Sequence, residues 1–292
     1  MSPLPIVAVL TATGSQGKSV VKALSDSNSY SVRALTRDPK SEKAKALQAF
    51  PNVNVVDASD FNAAFKGAHI VFAITLSFPN EDDIVKEAAR AAENAGVKLF
   101  IYSGLPSIVE ESGGEITGAG HFERKADAGR YLKTLKMRTV ILHLGSFTDN
   151  FLNYHFLKYE NDEFILTMHM AGMETNQPML CVKPDLGPIV LLIIDNYETT
   201  PSLFESPVHA ASYKIRFGDH IDILKKVTGR PVKPVILDGF EDSDRNAMRK
   251  YYDDVGLFKG KIIPDPRLSA LGFKPHSFED YIRDEIIPTF GL

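Results

Sequence analysis

Cysteine is almost absent from this chain, with Cys181 standing alone among 292 residues. One thiol closes no internal disulfide and builds no cysteine-rich zinc site, and it fits a reducing, intracellular setting. It reads as a small buried hydrophobe rather than a reactive group. A basic excess is also missing. Lys+Arg number 33 against 37 Asp+Glu, a formal charge of −4, so direct nucleic-acid binding is not expected. The longest aliphatic run, Ile189 to Ile194, is far too short to cross a bilayer, and no charged-then-apolar leader opens the chain. Internal repeats, low-complexity tracts and a G-x-S-x-G nucleophile elbow are absent too. These absences lead us to expect a soluble, cytoplasmic protein without membrane contact, nuclear entry being left open. With 44% hydrophobic residues, the length suffices for one large domain or one domain plus a smaller lobe.

What the chain does have is an alternating rhythm. Apolar runs at Ile6–Leu10, Ser31–Thr36, Val53–Val56, Ile70–Thr75, Lys98–Ser103 and Arg138–His143 read as strands. Helical patterns lie between them, at Gly17–Leu24, Ser41–Phe50, Asp60–Phe65, Asp83–Ala95 and Gly120–Lys133. Strands this apolar, alternating with helices, predict an α/β fold with a doubly wound parallel sheet buried on both faces. After about Leu144 the rhythm breaks. Asn150–Tyr159 reads as an aromatic-rich helix, Phe164–Thr167 and Leu180–Val182 as short strands, and Pro188–Ile194, Asp219–Val227, Ser243–Val255 and Phe278–Ile286 as helices. The division expected is a nucleotide-binding domain over 1–148 and a smaller α+β C-terminal lobe over 149–292, closing over the carboxyl ends of the sheet, with the chain free to cross between them.

The first strand runs into Thr11-Ala12-Thr13-Gly14-Ser15-Gln16-Gly17 and then a helical pattern. Small residues at such a junction let the backbone approach a pyrophosphate, and the helix N-terminus stabilises its charge. Thr11 stands where a first glycine is expected. An extended backbone there tolerates threonine, whereas a positive φ makes it costly. At the end of the second strand, where a carboxylate would bind a ribose 2′-hydroxyl, the chain reads Thr36-Arg37-Asp38-Pro39. A guanidinium at Arg37 can grip a 2′-phosphate bidentately, a charged hydrogen bond of roughly 1.5–3 kcal/mol. The cofactor expected is therefore NADP(H), although Asp38 could partly neutralise Arg37 or reach the ribose itself.

These residues resemble the NmrA-like group of atypical short-chain dehydrogenases. The turn Ala12 to Gly17 is similar to that group's A-T-G-x-Q-G, and Val32-Arg33 with Thr36-Arg37-Asp38-Pro39 to its V-R…T-R-x-P. Tyr102-Ser103-Gly104-Leu105, His121-Phe122-Glu123-Arg124-Lys125 with Tyr131-Leu132, Asn150-Phe151-Leu152 with His155-Phe156, and Asp185-Leu186-Gly187-Pro188-Ile189-Val190 continue the match along nearly the whole chain. The resemblance, nearest to the group's redox-sensor members and fungal relatives, implies a Rossmann-type fold and a two-lobed cleft. It implies that Thr11 to Gly17 and Arg37 hold the phosphates, with Asp57 and Ala58 near the adenine and Thr75, Leu76 and Ser77 near the ribose. It also places Lys125 at the nicotinamide ribose and Thr148, Asp149, Asn150 and Phe151 at the nicotinamide end. Thr11 and the short segment after the third strand depart from the pattern.

Ordinary short-chain dehydrogenases carry Tyr-x-x-x-Lys on one helix face, the lysine lowering the tyrosine's pKa for proton exchange. Here that register reads His121-x-x-x-Lys125: the lysine is present and the tyrosine is not. Ser103, at the exit of the fifth strand, offers a hydroxyl to a carbonyl oxygen. The first reading is an NADP(H) binder with a degenerate dehydrogenase site that senses cofactor state and regulates a protein partner. The second is an NADPH-dependent reductase of a small carbonyl or enone compound, with Lys125 or His121 donating the proton. A third, a scaffold without ligand, needs a vestigial glycine turn. A homodimer stays open. The aromatic series Phe147, Phe151, Tyr154, Phe156 and Tyr159 reads as core of the second lobe, and Met168-His169-Met170 as structural.

Overall fold

Strand β1 (Ile6–Val9) is the axis of the molecule, with Val7, Ala8 and Val9 wholly buried. The computed structural model describes residues 3–75, 79–237 and 239–292. In the first half follow β2 (Ser31–Thr36), β3 (Val53–Asp57), β4 (Ile70–Ala73), β5 (Leu99–Gly104) and β6 (Arg138–Leu144). The second half contributes β7 (Ser146–Phe147), β8 (Leu157–Glu160), β9 (Glu163–Met168), β10 (Asn176–Leu180), β11 (Val208–Ala210), β12 (Tyr213–Arg216) and β13 (Val232–Ile236). The helices that matter below are α1 (Ser15–Ser27), α2 (Glu42–Gln48), α3 (Phe61–Phe65), α4 (Glu81–Asn94), α5 (Ile108–Glu111), α6 (Gly120–Leu132), α7 (Asn150–Asn153), α8 (Gly187–Asn196), α9 (Asp219–Thr228) and α10 (Ser243–Asp254).

The central sheet has the order β11-β6-β5-β4-β1-β2-β3, and every pairing in it is parallel. Its direction of winding reverses between β1 and β4, which opens a crevice at their carboxyl ends. One face packs on α1 and α8 through Val20, Leu24, Ile189 and Ile193, and the other on α4 and α6 through Val85, Ala88, Ala128 and Leu132. Such double burial explains why these strands read as apolar runs rather than alternating patterns. This is the Rossmann-type architecture expected, with two small sheets added from the C-terminal half, β12-β10-β7 and β13-β9-β8. A second apolar core there gathers Phe122, Phe151, Phe164, Tyr251 and Phe278.

Two local expectations fail for identifiable reasons, and one strand had no signal in the sequence. The helix expected over Asn150–Tyr159 stops at Asn153, because His155 takes φ 55° and turns the chain into β8. In β8 the burial alternates, Leu157 and Tyr159 inward and Lys158 and Glu160 outward, a period of two beneath an aromatic run that mimics helical spacing. The strand expected over Leu180–Val182 lies earlier, at Asn176–Leu180, and Val182–Leu186 winds into a wide helical turn leading into α8. The central sheet has a seventh strand, Val208–Ala210, too short to signal itself in sequence.

Helix α1 sits unusually close to its neighbours. A Cβ on Gly17 would come within 2.5 Å of the Thr11 carbonyl oxygen, and one on Gly187 within 2.2 Å of the Ser19 carbonyl oxygen. Ser19 completes the second contact, its hydroxyl donating to Lys183 O at 3.0 Å and accepting from the Gly187 N–H at 2.8 Å.

The second core contains a histidine that acid should expose. His220 is fully buried against Phe278, Phe151 and Phe217. Its Nδ1 meets Phe217 O at 2.8 Å and its Nε2 meets the Tyr213 hydroxyl at 3.2 Å. Burial lowers its pKa from 6.5 to about 4. The folded chain therefore keeps His220 neutral where the unfolded chain already binds a proton. Stability is complete above pH 6.5 and falls as pH drops toward 4, by about 2 kcal/mol between pH 6.5 and 5. Urea unfolding at pH 7, 6 and 5 should show this slope in the wild type and a shallower one in His220→Gln.

Candidate functional site

The turn after β1 lies between the ends of its two neighbours. The Leu10 N–H donates to Phe72 O and the Ala12 N–H to Leu35 O, both at 2.9 Å. Thr11, between them, takes φ 51°. The left-handed region costs a residue with a Cβ about 1–2 kcal/mol, and a β-branched side chain is a rarity there. The structure thus settles the conformational question at this position: the backbone is left-handed, not extended. Two hydrogen bonds offset the strain. The Thr11 hydroxyl donates to Ile74 O at 2.9 Å, and the Gly14 N–H donates to Thr11 O at 3.0 Å. Gly14 then opens α1, whose first turn has neither a capping side chain nor an acidic residue. An uncapped helix N-terminus of this kind suits an anion.

A groove runs past this turn in two chambers that share Thr11, Gly14, Ile74 and Thr75, and a third chamber adjoins the second at Asn150 and Tyr154. The first, about 550 Å³, lies between the ends of β2, β3 and β4 and is lined by Thr11, Thr13, Gly14, Arg37, Lys43, Ala58, Ser59, Phe61 and Thr75 among others. The second, about 300 Å³, is lined by Thr11, Gly14, Ser15, Gln16, Gly17, Ile74, Thr75, Phe147, Asp149, Asn150, Asn153 and Tyr154. The third, also about 300 Å³, begins at Asn150 and Tyr154 and continues to Phe156, His169, Met170, Phe240, Arg245 and Met248. A separate cavity of about 320 Å³ lies at the amino end of β6, around Arg138, Tyr197 and Phe204, at the opposite edge of the sheet from the crevice.

The groove therefore gathers Thr11, Thr13, Gly14, Ser15, Gln16, Gly17, Arg37, Ala58, Thr75, Asp149 and Asn150. Other candidate residues stand behind its walls. Ala12 is buried in the turn. Asp57 accepts the Ser59 N–H at 2.8 Å and shapes the loop that carries Ala58. Asp38, by contrast, lines the first chamber beside Arg37 and accepts the Lys40 N–H at 3.0 Å. Thr148 is buried with its hydroxyl 3.1 Å from that of Tyr213, and Phe151 packs among Phe217, His220 and Phe278. Asp149 accepts the N–H groups of Val182 at 2.8 Å and Lys183 at 3.2 Å; burial pushes its carboxyl up, and those two bonds oppose the shift. Leu76 and Ser77 lie outside the described residues.

The three candidate proton donors are all engaged. The Ser103 hydroxyl donates to Gln16 Oε1 at 2.8 Å, tying the exit of β5 to the start of α1. His121 Nδ1 lies 2.8 Å from Asp244 Oδ1, bridging α6 and α10. Lys125 is buried, with Nζ 2.9 Å from Glu81 Oε2 and 3.0 Å from the Thr75 hydroxyl. Thr75 in turn donates to Glu81 Oε2 at 3.1 Å, and Arg124 Nε approaches Glu81 Oε1 at 3.4 Å. Burial pushes the Lys125 ammonium below its ordinary pKa, and the Glu81 charge opposes the shift. Glu81, wholly buried at the start of α4, is the residue that sequence reading missed. Its signal was Pro79-Asn80-Glu81 ahead of an acidic first turn, where an acid also complements the helix dipole.

Breaking this pair from one side should be costly. Glu81→Gln strands a buried ammonium and should destabilise the fold by about 3–5 kcal/mol. Lys125→Met should be costly as well, and the double variant Glu81→Leu/Lys125→Met should recover much of the loss. Urea unfolding of the four proteins checks this. Additive losses would mean that the pair is not coupled.

Among the described residues, no helix is long and apolar enough to cross a membrane, and no group of three or more His, Cys, Asp or Glu side chains could hold a metal ion. The NmrA-like family model matches residues 5–271. The NmrA-like family domain-containing oxidoreductase FrzB of Cladobotryum sp is 31% identical over 254 residues, 77% of this chain and 74% of that protein. Its counterpart malD of Malbranchea aurantiaca is 27% identical, over 89% of this chain and 86% of its own. Among solved structures, the negative transcriptional regulator NmrA in complex with NADP superposes with a TM-score of 0.81 at 21% identity, covering 99% of this chain and 98% of that one. NmrA in complex with NAD gives 0.80 at 20% identity, with the same coverage. With a family model spanning nearly its whole length and a seven-stranded parallel sheet of matching fold, this chain belongs to the NmrA-like family.

Proposed function

We propose that the protein is an NADPH-dependent oxidoreductase that reduces a small carbonyl or enone compound. The observation that carries this reading is the third chamber. A groove that served only a dinucleotide could end at the start of α7, but this one continues beyond Asn150 and Tyr154 into a recess about as large as a small substrate. The NmrA-like relatives from Cladobotryum and Malbranchea are named oxidoreductases, which supports the same reading. Sensing, which the sequence placed first, is favoured by a different observation: Lys125 is held by Glu81, and the tyrosine register is filled by His121.

The residues present suit NADP(H). The uncapped first turn of α1 offers N–H groups to a pyrophosphate, and the first chamber sets Arg37 and Lys43 beside the end of β2, where a 2′-phosphate would lie. When bound, this cofactor supplies a hydride for the carbonyl carbon. The carbonyl oxygen then requires a proton, and Tyr154, a residue that lines both the second and third chambers, carries a hydroxyl that can give it. At 63% exposure Tyr154 can regain that proton from water. Thr75, fixed by Glu81 and Lys125, holds the floor of the groove in place.

Two measurements test the reading. In fluorescence titrations, Arg37→Ala should weaken NADPH binding about tenfold or more and leave NADH binding unchanged; a wild type that binds NADH as tightly as NADPH would overturn the cofactor preference. Anaerobic NADPH consumption should appear with members of a carbonyl and enone panel and fall at least about tenfold in Tyr154→Phe with NADPH affinity intact. A protein that consumes no NADPH across the panel, yet changes its self-association with NADP(H) in light scattering, would be a sensor.

A further inference from the structure

The third chamber has a composition of its own. Phe156 and Phe240 form aromatic walls, Met170 and Met248 add apolar surface, and the polar members are Asn150 and Tyr154 on the side shared with the second chamber and His169 and Arg245 beyond them. The walls are built rather than incidental. His169 stands edge-on to both rings, with centroids 4.4 Å from Phe156 and 4.7 Å from Phe240. Phe240 is fixed by Asn246, whose side chain accepts the Phe240 N–H at 2.8 Å and donates to the Phe240 carbonyl at 2.6 Å. The Arg245 guanidinium lies 5.7 Å from the centre of the Phe240 ring.

Two of these polar groups, His169 and Arg245, are incompletely engaged by the fold. His169 is 93% buried, and its Nδ1 has no hydrogen-bond partner among the described residues. Leaving a buried polar atom unpaired costs a fold free energy, and His169 belongs to the lining of this chamber, where a ligand can supply the missing partner. Burial, with the Arg245 and Arg249 charges nearby, holds His169 below its ordinary pKa. It is therefore neutral near pH 7 and carries one N–H. Arg245 is anchored only loosely, its Nε 3.6 Å from Asp242 with both side chains more than half exposed, a weak and solvent-screened pair. Arg249, by contrast, is committed to the Leu237 carbonyl at 2.5 Å.

We infer that this chamber binds a planar aromatic compound of one or two fused rings that carries an acidic oxygen, a carboxylate or phenolate. The ring packs against Phe156 and Phe240. The oxygen accepts the N–H of His169 Nδ1 and faces the Arg245 guanidinium. Aromatic walls favour a flat π-surface over a saturated ring of the same size. A single cation at the mouth, with no acid lining the chamber, favours an anion over a neutral or cationic group. As the identity of the substrate, this inference rests on the oxidoreductase reading; as a binding site it does not.

The test is isothermal titration calorimetry of the full chain, with and without saturating NADPH, using three probes: 2-naphthoate, its neutral analogue 2-naphthalenemethanol, and the saturated decalin-2-carboxylate. Naphthoate should bind one to one, about tenfold or more tighter than either analogue. Arg245→Gln should weaken naphthoate about tenfold and leave the alcohol unchanged. His169→Phe should weaken naphthoate as well, with thermal melts confirming that both variants fold. Equal affinities for naphthoate and decalin carboxylate, an affinity indifferent to Arg245→Gln and His169→Phe, or no binding at all would each overturn the inference. NADPH binding is read separately by its own fluorescence. A protein that takes naphthoate at this site but no NADPH would sink the proposed function and leave the site standing.

Discussion

Everything in this molecule is arranged around how closely helix α1 can approach the chain on either side of it. On one side Gly17 lets it rest against the turn after β1, where a methyl group would fall within 2.5 Å of backbone. On the other, Gly187 lets α8 lie against Ser19, where the gap is narrower still. Contacts between backbones cannot relax as long side chains do, so the position of α1 is set to within tenths of an ångström. That position brings the uncapped first turn to the crevice at the reversal point of the sheet. The left-handed Thr11 is a consequence: the chain must turn sharply enough to leave β1 and enter a helix held this close. Its hydroxyl, bonded to Ile74 O, stabilises a conformation its Cβ resists.

Charge in the groove is divided between two kinds of site. Arg37, Lys43 and Arg245 belong to its lining, where an incoming anion can meet them. Lys125 is kept behind the wall, neutralised by Glu81 and bonded to Thr75. A buried pair of this kind adds little net stability, because desolvation consumes most of the Coulombic gain. What it supplies is position. Thr75, just past β4, lines both the first and second chambers, and two charged groups converge on it, Glu81 from α4 and Lys125 from α6.

Much of this was legible in the sequence, and the illegible parts share a cause. The central strands of the first half announce themselves because both of their faces are buried, so β1, β4 and β5 are largely apolar runs between turn residues, while the edge strand β3 is only partly buried. The phosphate turn and Arg37 follow from local spacing. The second half is harder. β8 hides inside an aromatic run, β11 is only three residues long, and β12 and β13 carry one buried position between them. Their pairing is decided by partners far along the chain, which no local window contains. The same holds at the site. Thr148 and Phe151 sit within a segment whose neighbours line the groove, yet they face the second core, because successive residues entering α7 point in different directions. Glu81 escaped notice because a surface-looking acid at a helix start gives no hint that Lys125 lies 44 residues downstream and 2.9 Å away.

The short strand β11 also has a bearing on how the chain acquires its structure. Its residues, 208–210, pair with β6 and complete the central sheet, while α8 covers one face of that sheet from residues 187–196. During synthesis, the first 144 residues emerge with β6 as an open edge and one face of the sheet partly uncovered. An unpaired parallel edge is a template for association with other chains, and pairings between distant segments form slowly. The open β6 edge on the nascent N-terminal half is thus covered only once residues 208–210 have emerged to pair with it.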